Sequence, residues 1–174
     1  MIKFLSYFLY YTIGYHFPKS NAKLHLFSKQ IRRFFAKGFI KQCGRKVNIQ
    51  RHVVLPKDFT IGDYSGVGAN SVIGSGTIIG NNVMMGPECY IYTSNHKHDN
   101  TDIPMIKQGY EDVKPVIIAD DVWIGSRVTI LPGVHIGKGS IIGASAVVTK
   151  DVPEYSVCCG NPAQVVKNRK KELQ

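Results

Sequence analysis

An aliphatic residue or methionine returns at every sixth position along most of this chain, and no other feature of the sequence constrains the fold as strongly. The anchors form one series from Ile49 to Ile91 and a second series from Ile118 to Val148. They are Ile49, Leu55, Ile61, Val67, Ile73, Ile79, Met85, Ile91, Ile118, Ile124, Ile130, Ile136, Ile142 and Val148. A fixed period of this kind is the signature of a repeat fold, in which each unit buries its apolar face against the next.

Glycine follows the anchor in eight of the fourteen units, and a small or β-branched residue usually stands four positions after the anchor. Because Gly accepts backbone angles that other residues resist, each unit is interpreted as one short strand and one tight corner. Three units close a triangular coil, and stacked coils lie about 4.8 Å apart, as neighbouring strands do. The pattern predicts an all-β repeat fold, a parallel β-helix of about five coils. A β-sandwich is the alternative, but sandwich strands alternate with a period of two.

Basic residues are concentrated at the two ends of the chain. The formal net charge is +10, yet residues 58–166 hold eleven acidic and six basic residues, whereas residues 1–57 hold twelve basic residues and no acidic one. We therefore predict an N-terminal helical and aromatic cap over residues 1–45, the β-helix over residues 46–166 and a short basic C-terminal tail over residues 167–174.

The cysteines and the N-terminal segment indicate where the protein is located. The four Cys residues show no CxxC spacing, and a chain of 174 residues does not need disulfides in order to fold. No segment combines a basic start, an apolar middle and a small-residue cleavage site, as a secretion signal does. We expect free thiols and a cytoplasmic protein.

The repeat loses its phase once, between Ile91 and Ile118, because the 27 residues that separate them are not a multiple of six. This break predicts a polar loop over residues 94–115 that leaves the β-helix. Loops on rigid scaffolds are common places for binding and catalytic residues. The loop is therefore the first place to look for chemistry.

Three segments resemble the hexapeptide-repeat acyltransferases. They are IYTSNHKHD at 91–99, the run from IADDVWIG at 118–125 to VVTKDVP at 147–153, and GNPAQVV at 160–166. The similarity is nearest to the branch of maltose, galactoside and surface-polysaccharide O-acetyltransferases. It implies a left-handed β-helix, a homotrimer, and transfer of acetyl from acetyl-CoA to a sugar hydroxyl in surface polysaccharide biosynthesis, with no metal.

The resemblance also implies a catalytic residue in the loop. A neutral sugar hydroxyl is a poor nucleophile, and His is suited to removing its proton near neutral pH. His96 matches the family's general base by position, and Asn95 and Asp99 are its expected neighbours at the substrate site. His98 is a rival base, because Lys97 stands where relatives commonly have proline.

The donor site is expected on a strip of small residues, where main-chain groups can bond the pantetheine arm of CoA. By resemblance, the cofactor-binding residues are Gly125, Ser126, Gly143, Ala144, Thr149, Lys150 and Lys167. Trp123, in the VWIG motif, is expected beside the catalytic loop as a wall of the thioester pocket. Cys89 falls on the inward-facing column, which predicts a core residue rather than a nucleophile.

The acceptor is not identified by the sequence, and other functions remain as alternatives. Gly68 replaces an Asn that galactoside-type relatives use, so their specificity is not carried over. An N-acetyltransferase acting on a nucleotide-linked amino sugar would use the same donor and base. A γ-type carbonic anhydrase needs three metal-binding His residues that are missing from the coils. A non-catalytic β-helix scaffold is the remaining alternative.

The N-terminal segment predicts a cap over the open first coil. Leu24, Phe27, Ile31 and Phe34 or Phe35 recur at helical spacing, with Ser20 as the expected N-cap and Gly38 as the expected helix end. The aromatic run at 4–17 is too short to span a membrane. Because aromatic and basic residues occur together without acidic ones, we also expect residues 1–41 to contact an anionic membrane surface at its inner face. We expect no nucleic-acid partner.

Overall fold

The computed structural model describes residues 2–18, 20 and 27–172, and it shows a three-sided parallel β-helix of about six turns behind an N-terminal helix. The predicted fold class is confirmed. The helices are α1 Ile2–Thr12 and α2 Ser28–Lys37, with 3-10 turns at Gly14–His16, Met105–Lys107 and Arg169–Glu172.

The strands are short and form three faces. The first face holds β1 Gln42–Cys43, β3 Thr60–Ile61, β6 Ile78–Ile79, β9 Ile117–Ile118 and β12 His135–Ile136. The second face holds β2 Asn48–Ile49, β4 Gly66–Val67, β7 Met84–Met85, β10 Trp123–Ile124, β13 Ile141–Ile142, β15 Ser156–Gly160 and β16 Ala163–Asn168. The third face holds β5 Val72–Ile73, β8 Tyr90–Ile91, β11 Thr129–Ile130 and β14 Val147–Val148.

Three corners join these faces, and the chain passes them in a fixed order. The first corner joins the first face to the second, the second corner joins the second face to the third, and the third corner returns the chain to the first face of the next turn. Paired strands are parallel except β15 and β16, which are antiparallel. The turn count exceeds the expected five because β1 starts a turn before residue 46 and β15 adds a partial one at the other end.

The core follows the six-residue repeat. In strands β2 to β14 the second residue points inward, and every anchor from Ile49 to Val148 is buried. Phe59 is an oversized residue on the small-residue column and is still fully buried. Cys89 is also buried, which confirms its prediction as a core residue, and all four cysteines are free thiols.

The cap closes the open end of the ladder of backbone hydrogen bonds. The backbone groups of the first turn that point away from the second turn have no lower turn to pair with. Side chains of the cap form hydrogen bonds with them instead. The Tyr10 hydroxyl donates to Val53 O at 2.8 Å, and Arg32 Nε donates to Ile49 O at 2.6 Å. The Tyr11 hydroxyl donates to Leu55 O and accepts from Leu55 N. This arrangement satisfies groups that would otherwise be buried without a partner.

The predicted apolar stripe of the second helix is found only in part, because Phe35 packs against the core but Phe27 and Phe34 do not. Ser28, Arg32 and Ala36 form the buried face of α2, whereas Phe27 and Phe34 are 69% and 74% exposed. The helix packs on the end of the hydrogen-bond ladder, where carbonyl oxygens of the first turn need donors. A polar residue such as Arg32 provides them, and a purely apolar face could not. Leu24 lies outside the described residues.

The two predicted ends of this helix have different outcomes. The described helix begins at Ser28, with Phe27 as its N-cap in left-handed backbone angles, and residues 21–26, which follow the predicted cap, lie outside the described residues. Ser20 instead bonds the first turn: its hydroxyl donates to Asn48 Oδ1 and its N–H donates to Gln50 Oε1. Gly38 is the C-cap, as predicted.

The C-terminal segment is not a free tail up to Asn168. Lys167 belongs to β16, which folds back on β15 and so extends the second face beyond the last turn. In the described part of the chain, no helix is both long enough and apolar enough to cross a membrane.

Candidate functional site

The loop between β8 and β9 is an ordered hairpin that leaves the third corner. Lys114 N donates to Thr93 O at the base of the hairpin, Glu111 N donates to Asn95 O, and Lys97 N donates to Gly109 O. The base is held to the following turn by the bond from Gly133 N to Lys114 O. The phase break therefore produces a rigid projection.

A glutamine holds the tip of the hairpin. The Gln108 side-chain amide donates to Asn100 O and Ile103 O, and its oxygen accepts from Asn100 N. Most of the side chains between Asn95 and Gly109 are exposed, so the tip projects away from the core of a single chain.

His96 lies in the outgoing strand of the hairpin and faces Tyr110 in the returning strand. The two residues form an antiparallel bridge, and their ring centroids are 4.1 Å apart. Nothing in the sequence pattern singled out Tyr110, because the partner across a hairpin depends on where the tip turns. Over the described ranges, neither ring nitrogen of His96 has a hydrogen-bond partner.

The other polar residues of the loop are arranged differently. His98 Nδ1 lies 3.1 Å from His96 O, so this rival base is engaged by the loop's own backbone. Asp99 forms no hydrogen bond or ion pair with any described residue, and in this arrangement it does not orient His96. Asn95 bonds through its backbone oxygen, and its exposed side chain remains available to a ligand.

The first and second corners differ in how their backbone N–H groups are used. At the first corner, side chains one turn above accept these bonds: Arg45 N donates to Asp63 Oδ1, Asp63 N to Asn81 Oδ1, and Asn81 N to Asp120 Oδ1. The N–H and guanidinium of Arg45 hold the pKa of the Asp63 carboxyl below its ordinary value. The spacing of 18 residues between Arg45, Asp63 and Asn81 is three repeats and could have been found in the sequence.

The second corner has no such side chains. Ser126 and Ala144 occupy the positions that correspond to Asp63 and Asn81, and Ala144 has no oxygen to offer to Ser126 N. Among the residues that the structure covers, the N–H groups of Ser126 and Ala144 have no acceptor, and Ala144 is exposed. These are free, directed donors at the predicted strip.

Glycine makes the second corner narrow. A Cβ on Gly125 would lie 2.6 Å from Ala144 N, and a Cβ on Gly143 would lie 2.9 Å from Cys159 Cβ. Both distances are closer than real Cβ atoms approach, so only Gly allows the turns to stack here. The strip from Gly125 and Ser126 to Gly143 and Ala144 therefore presents backbone and small side chains, a suitable surface for an extended chain of amides.

The remaining predicted residues lie on more than one side of the molecule. Trp123 projects from the second face, 51% exposed, with Met84 as its neighbour in the turn below, so it is not beside the loop of its own chain. Thr149 and Lys150 follow β14 at the third corner, and Lys167 lies in β16 at the end of the second face. One chain thus brings Trp123 close to Gly125 and Ser126, and leaves His96 at another corner.

The described residues contain no candidate metal site. Over residues 2–18, 20 and 27–172, no three side chains among His, Cys, Asp and Glu converge on a point that could hold a metal ion. The polar groups that the described residues offer are the His96 imidazole, the exposed side chains of Asn95 and Asp99 on the hairpin, the Trp123 indole ring and the backbone N–H groups of the second corner.

Two repeat families match the chain. Residues 115–150 match the family described as "Bacterial transferase hexapeptide (six repeats)", and residues 59–92 match "Hexapeptide repeat of succinyl-transferase". A Saccharomyces cerevisiae protein named as an acetyltransferase is 46% identical over 83 residues, which are 48% of this chain and 41% of that protein. A Mycobacterium tuberculosis protein, also named as an acetyltransferase, is 43% identical over 86 residues, 49% of this chain and 28% of that protein. The chain spans less than half the length of these relatives.

Solved structures match over nearly the whole chain. A hexapeptide-repeat acetyltransferase of Vibrio cholerae superimposes with a TM-score of 0.71 at 26% identity, over 97% of this chain and 90% of that one. A maltose O-acetyltransferase of Clostridium difficile superimposes with a TM-score of 0.73 at 26% identity, over 96% of this chain and 86% of that one. The Vibrio cholerae protein has also been solved with acetyl-CoA bound.

Proposed function

The chain belongs to the hexapeptide-repeat transferase family, and we propose that it is an acetyltransferase that moves an acetyl group from acetyl-CoA to a sugar hydroxyl, with His96 as general base. The observation that carries the proposal is the pair of free N–H groups at Ser126 and Ala144. The pantetheine arm of CoA contains amides, and their carbonyl oxygens are suited to directed backbone donors on a strip of small residues. The names of the relatives and of the solved structures agree with this chemistry.

The remaining donor contacts follow from the same geometry. Gly125 and Gly143 keep the path of the arm open, and Trp123 flanks it at the level of the thioester. Lys167 on β16, with Thr149 and Lys150 at the third corner, is proposed to meet the phosphate-rich end of CoA, because Lys is a usual phosphate partner. Thr149 and Lys150 would do so from a second copy of the chain.

His96 performs the proton transfer in this proposal. It accepts the proton of the acceptor hydroxyl while the hydroxyl oxygen attacks the thioester carbonyl. The developing oxyanion needs a preorganised donor such as a backbone N–H. When the carbon–sulfur bond breaks, His96 returns the proton to the departing sulfur, and the products are an acetyl ester and free CoA thiol. Asn95 and Asp99 are proposed to contact the acceptor from the same hairpin.

We further propose that the working molecule is a homotrimer with sites between subunits. His96 leaves the third corner, whereas Ser126 and Ala144 lie at the second. A side of about six extended residues separates two corners of one coil by roughly 15–20 Å. A second copy that presents its second corner to the hairpin would complete the site. A monomeric mass in solution together with full activity would refute this arrangement.

The cap is proposed to contact an anionic membrane surface. On α1, Ile2, Phe4, Leu5 and Phe8 are more than half exposed, and Lys3 lies among them. An apolar helix face with cations and without acids is the composition that lies in the headgroup region of a bilayer. Such contact suits a role in surface polysaccharide biosynthesis, the pathway we propose, where acceptors are assembled at a membrane.

The activity is tested by release of CoA thiol from acetyl-CoA with a panel of neutral sugars, phosphorylated sugars and amino sugars. Thiol release that depends on a hydroxyl acceptor is the expected result. Release only with amino sugars would make the protein an N-acetyltransferase, and no release with any acceptor would leave the scaffold alternative.

The donor site has a sharper test in one substitution. Ala144→Asn places at the second corner the amide that Asn81 provides at the first, where it would accept from Ser126 N. We expect acetyl-CoA binding to weaken about tenfold, the value of one hydrogen bond of about 1.4 kcal/mol. Asp120→Ala is the matched control, because it frees an N–H at the first corner and should leave acetyl-CoA binding unchanged. Titration calorimetry measures both variants, and equal affinities would exclude the second corner as the donor site.

A further inference from the structure

A basic groove begins on α2 and continues onto the second face. Its first part is a cavity of about 560 Å³ lined by four cations, Lys29, Arg33, Lys37 and Lys46, together with the exposed Phe34. Its second part is a cavity of about 340 Å³ that shares Lys29 and Lys46 with the first and continues past Asn48 and Gln50 to Met84. The two shared lysines make the cavities one groove.

Among the described residues, no acidic side chain lines either cavity. Within the described ranges, Lys29 and Lys37 form no ion pair, Arg33 donates to Gly44 O, and Lys46 Nζ lies 5.3 Å from the centre of the Tyr64 ring. Like charges around one cavity repel each other, so this arrangement destabilises the empty groove. A bound anion would remove that repulsion.

The side-chain amides of Asn48 and Gln50, next to the cations, are held through their oxygen atoms. Gln50 Oε1 accepts from Ser20 N, and Asn48 Oδ1 accepts from the Ser20 hydroxyl. With the oxygens occupied, the NH₂ groups of Asn48 and Gln50, two residues that line the second cavity, have no acceptor among the residues that the structure describes. Directed donors of this kind suit the oxygen atoms of a sugar.

The groove leads toward the proposed reaction centre. Asn48, Gly66, Met84 and Trp123 lie in register on successive turns of the second face. Three steps of about 4.8 Å separate the first from the last, so Asn48 lies about 14 Å below Trp123. Gly66 adds no side chain to this path, and Trp123 is two residues from Gly125 at the second corner.

We infer that the acceptor is a sugar that carries a phosphate or pyrophosphate group, and that this groove is its binding site. The phosphate lies among Lys29, Arg33, Lys37 and Lys46, since Lys and Arg are the usual partners of phosphate oxygens. The sugar lies over Asn48, Gln50 and Gly66 and directs its hydroxyl toward Trp123. The inference rests on the proposed function for the reaction and on the groove alone for the site.

The site is tested first without any turnover, by titrating the full-length protein with inorganic pyrophosphate. The variant is Lys29→Gln/Lys46→Gln, which removes the two shared cations. The control is Lys57→Gln, which removes an exposed cation of the first turn of the β-helix, outside the groove. We expect the double variant to bind pyrophosphate at least tenfold more weakly and the control to bind as the native chain does. Equal binding by all three proteins would overturn the inference, provided that their melting temperatures agree.

Turnover then separates the site from the reaction. A sugar 1-phosphate and a nucleotide diphosphate sugar should have a KM at least tenfold below that of the matching neutral sugar, and the double variant should abolish that difference without weakening acetyl-CoA binding. Thiol release that is equally efficient with neutral sugars refutes the phosphate site and leaves the proposed function intact. Pyrophosphate binding that depends on Lys29 and Lys46, with no thiol release for any acceptor, supports the site and refutes the proposed function.

A final arm separates a phosphosugar from a membrane as the source of phosphate. Vesicles with and without anionic lipid are sedimented with the native chain and the double variant. We expect the double variant to lose the pyrophosphate affinity and to retain most of the vesicle binding. Loss of vesicle binding with unchanged pyrophosphate affinity would assign these lysines to headgroups and overturn the inference.

Discussion

The β-helix and its N-terminal cap satisfy their buried backbone groups in opposite ways. In the β-helix, each turn bonds to the turns above and below it, and the interior is filled mainly by aliphatic side chains such as Ile61 and Ile124, with small hydroxyl side chains such as Ser65 on the small-residue column. In the cap, polar side chains are buried, and Arg32 and Tyr10 are both fully enclosed. The difference teaches that a repeat fold needs polar residues where the repeat stops, because the ladder there has no next turn.

The same comparison separates stability from chemistry. Arg32, Tyr10 and Tyr11, whose side chains close the ladder, lie below the first turn. His96 lies in the loop between the third and fourth turns, and the free N–H groups of Ser126 and Ala144 belong to the fourth and fifth turns. Variants in the two regions should therefore change different measurements. The predictions below test that division.

The largest expected effect is on turnover. His96→Ala removes the proposed base, and we expect thiol release to fall by roughly 10²–10⁴-fold with little change in acetyl-CoA affinity. The free energy of unfolding should change by less than about 0.5 kcal/mol, since the side chain is exposed. His98→Ala is the matched control and should retain most of the activity. The reverse pattern would make His98 the base.

The largest expected effect on stability is at the buried arginine. Arg32 Nη1 donates to Phe17 O and Pro18 O, and Nη2 donates to the hydroxyls of Ser20 and Ser28, in addition to the bond to the first turn. Arg32→Met keeps an apolar stem but leaves these acceptors unpaired. We expect the free energy of unfolding to fall by about 3 kcal/mol.

Differential scanning calorimetry measures this loss as a fall in Tm of roughly 6–12 °C. Acetyl-CoA affinity should be unchanged at a temperature where the variant is folded. Arg169→Met is a control at the opposite end of the β-helix, where the guanidinium donates to a single carbonyl, Gly139 O. A variant at Arg32 with native stability would show that the ladder does not need the cap's donors.

A smaller effect is expected at Tyr10, and it depends on pH. Burial raises the pKa of the Tyr10 hydroxyl above its ordinary value. An acid whose pKa is higher in the folded state stabilises that state below its unfolded pKa of about 10, and this contribution is lost as the pH rises further. Tyr10→Phe leaves Val53 O without its donor and should lower the free energy of unfolding by about 1–2 kcal/mol.

Above about pH 10, the free energy of unfolding should fall less steeply in the variant than in the native chain, because the variant has no phenol at this position to ionise. Urea unfolding at pH 7 and at pH 10.5 measures both effects. Equal slopes with pH for the native chain and the variant would contradict the role given to this hydroxyl.

The smallest expected effect is on membrane contact. Lys3→Gln should reduce binding to vesicles that contain anionic lipid by about fivefold, which corresponds to roughly 1 kcal/mol for one cation near the surface. Lys138→Gln, an exposed cation of the β-helix, is the control and should not change binding. Recovery of the native chain in the supernatant with both lipid mixtures at low salt would leave α1 as a cap alone.

The sequence by itself determined the β-helix, the position of the loop and the inward column of the core. It could do so because the six-residue period repeats fourteen times, and each repeat meets the same environment in the turns above and below it. The glycines at the second corner, Gly125 and Gly143, were identified for the same reason. The period places both glycines directly after an anchor, and the resemblance assigned them to the donor site.

The tertiary structure alone decided the features that lie outside the period. Helical spacing predicted that Phe34 or Phe35 is buried on α2, and only the structure shows that Phe35 packs against the core while Phe34 is exposed. It also shows that Arg32 is buried there, because it donates to an acceptor of the first turn. The contact of His96 with Tyr110 depends on where a hairpin turns, and the basic groove depends on how α2 packs on β2. A periodic pattern specifies a residue's neighbours one turn away, whereas these contacts join segments with different periods or none.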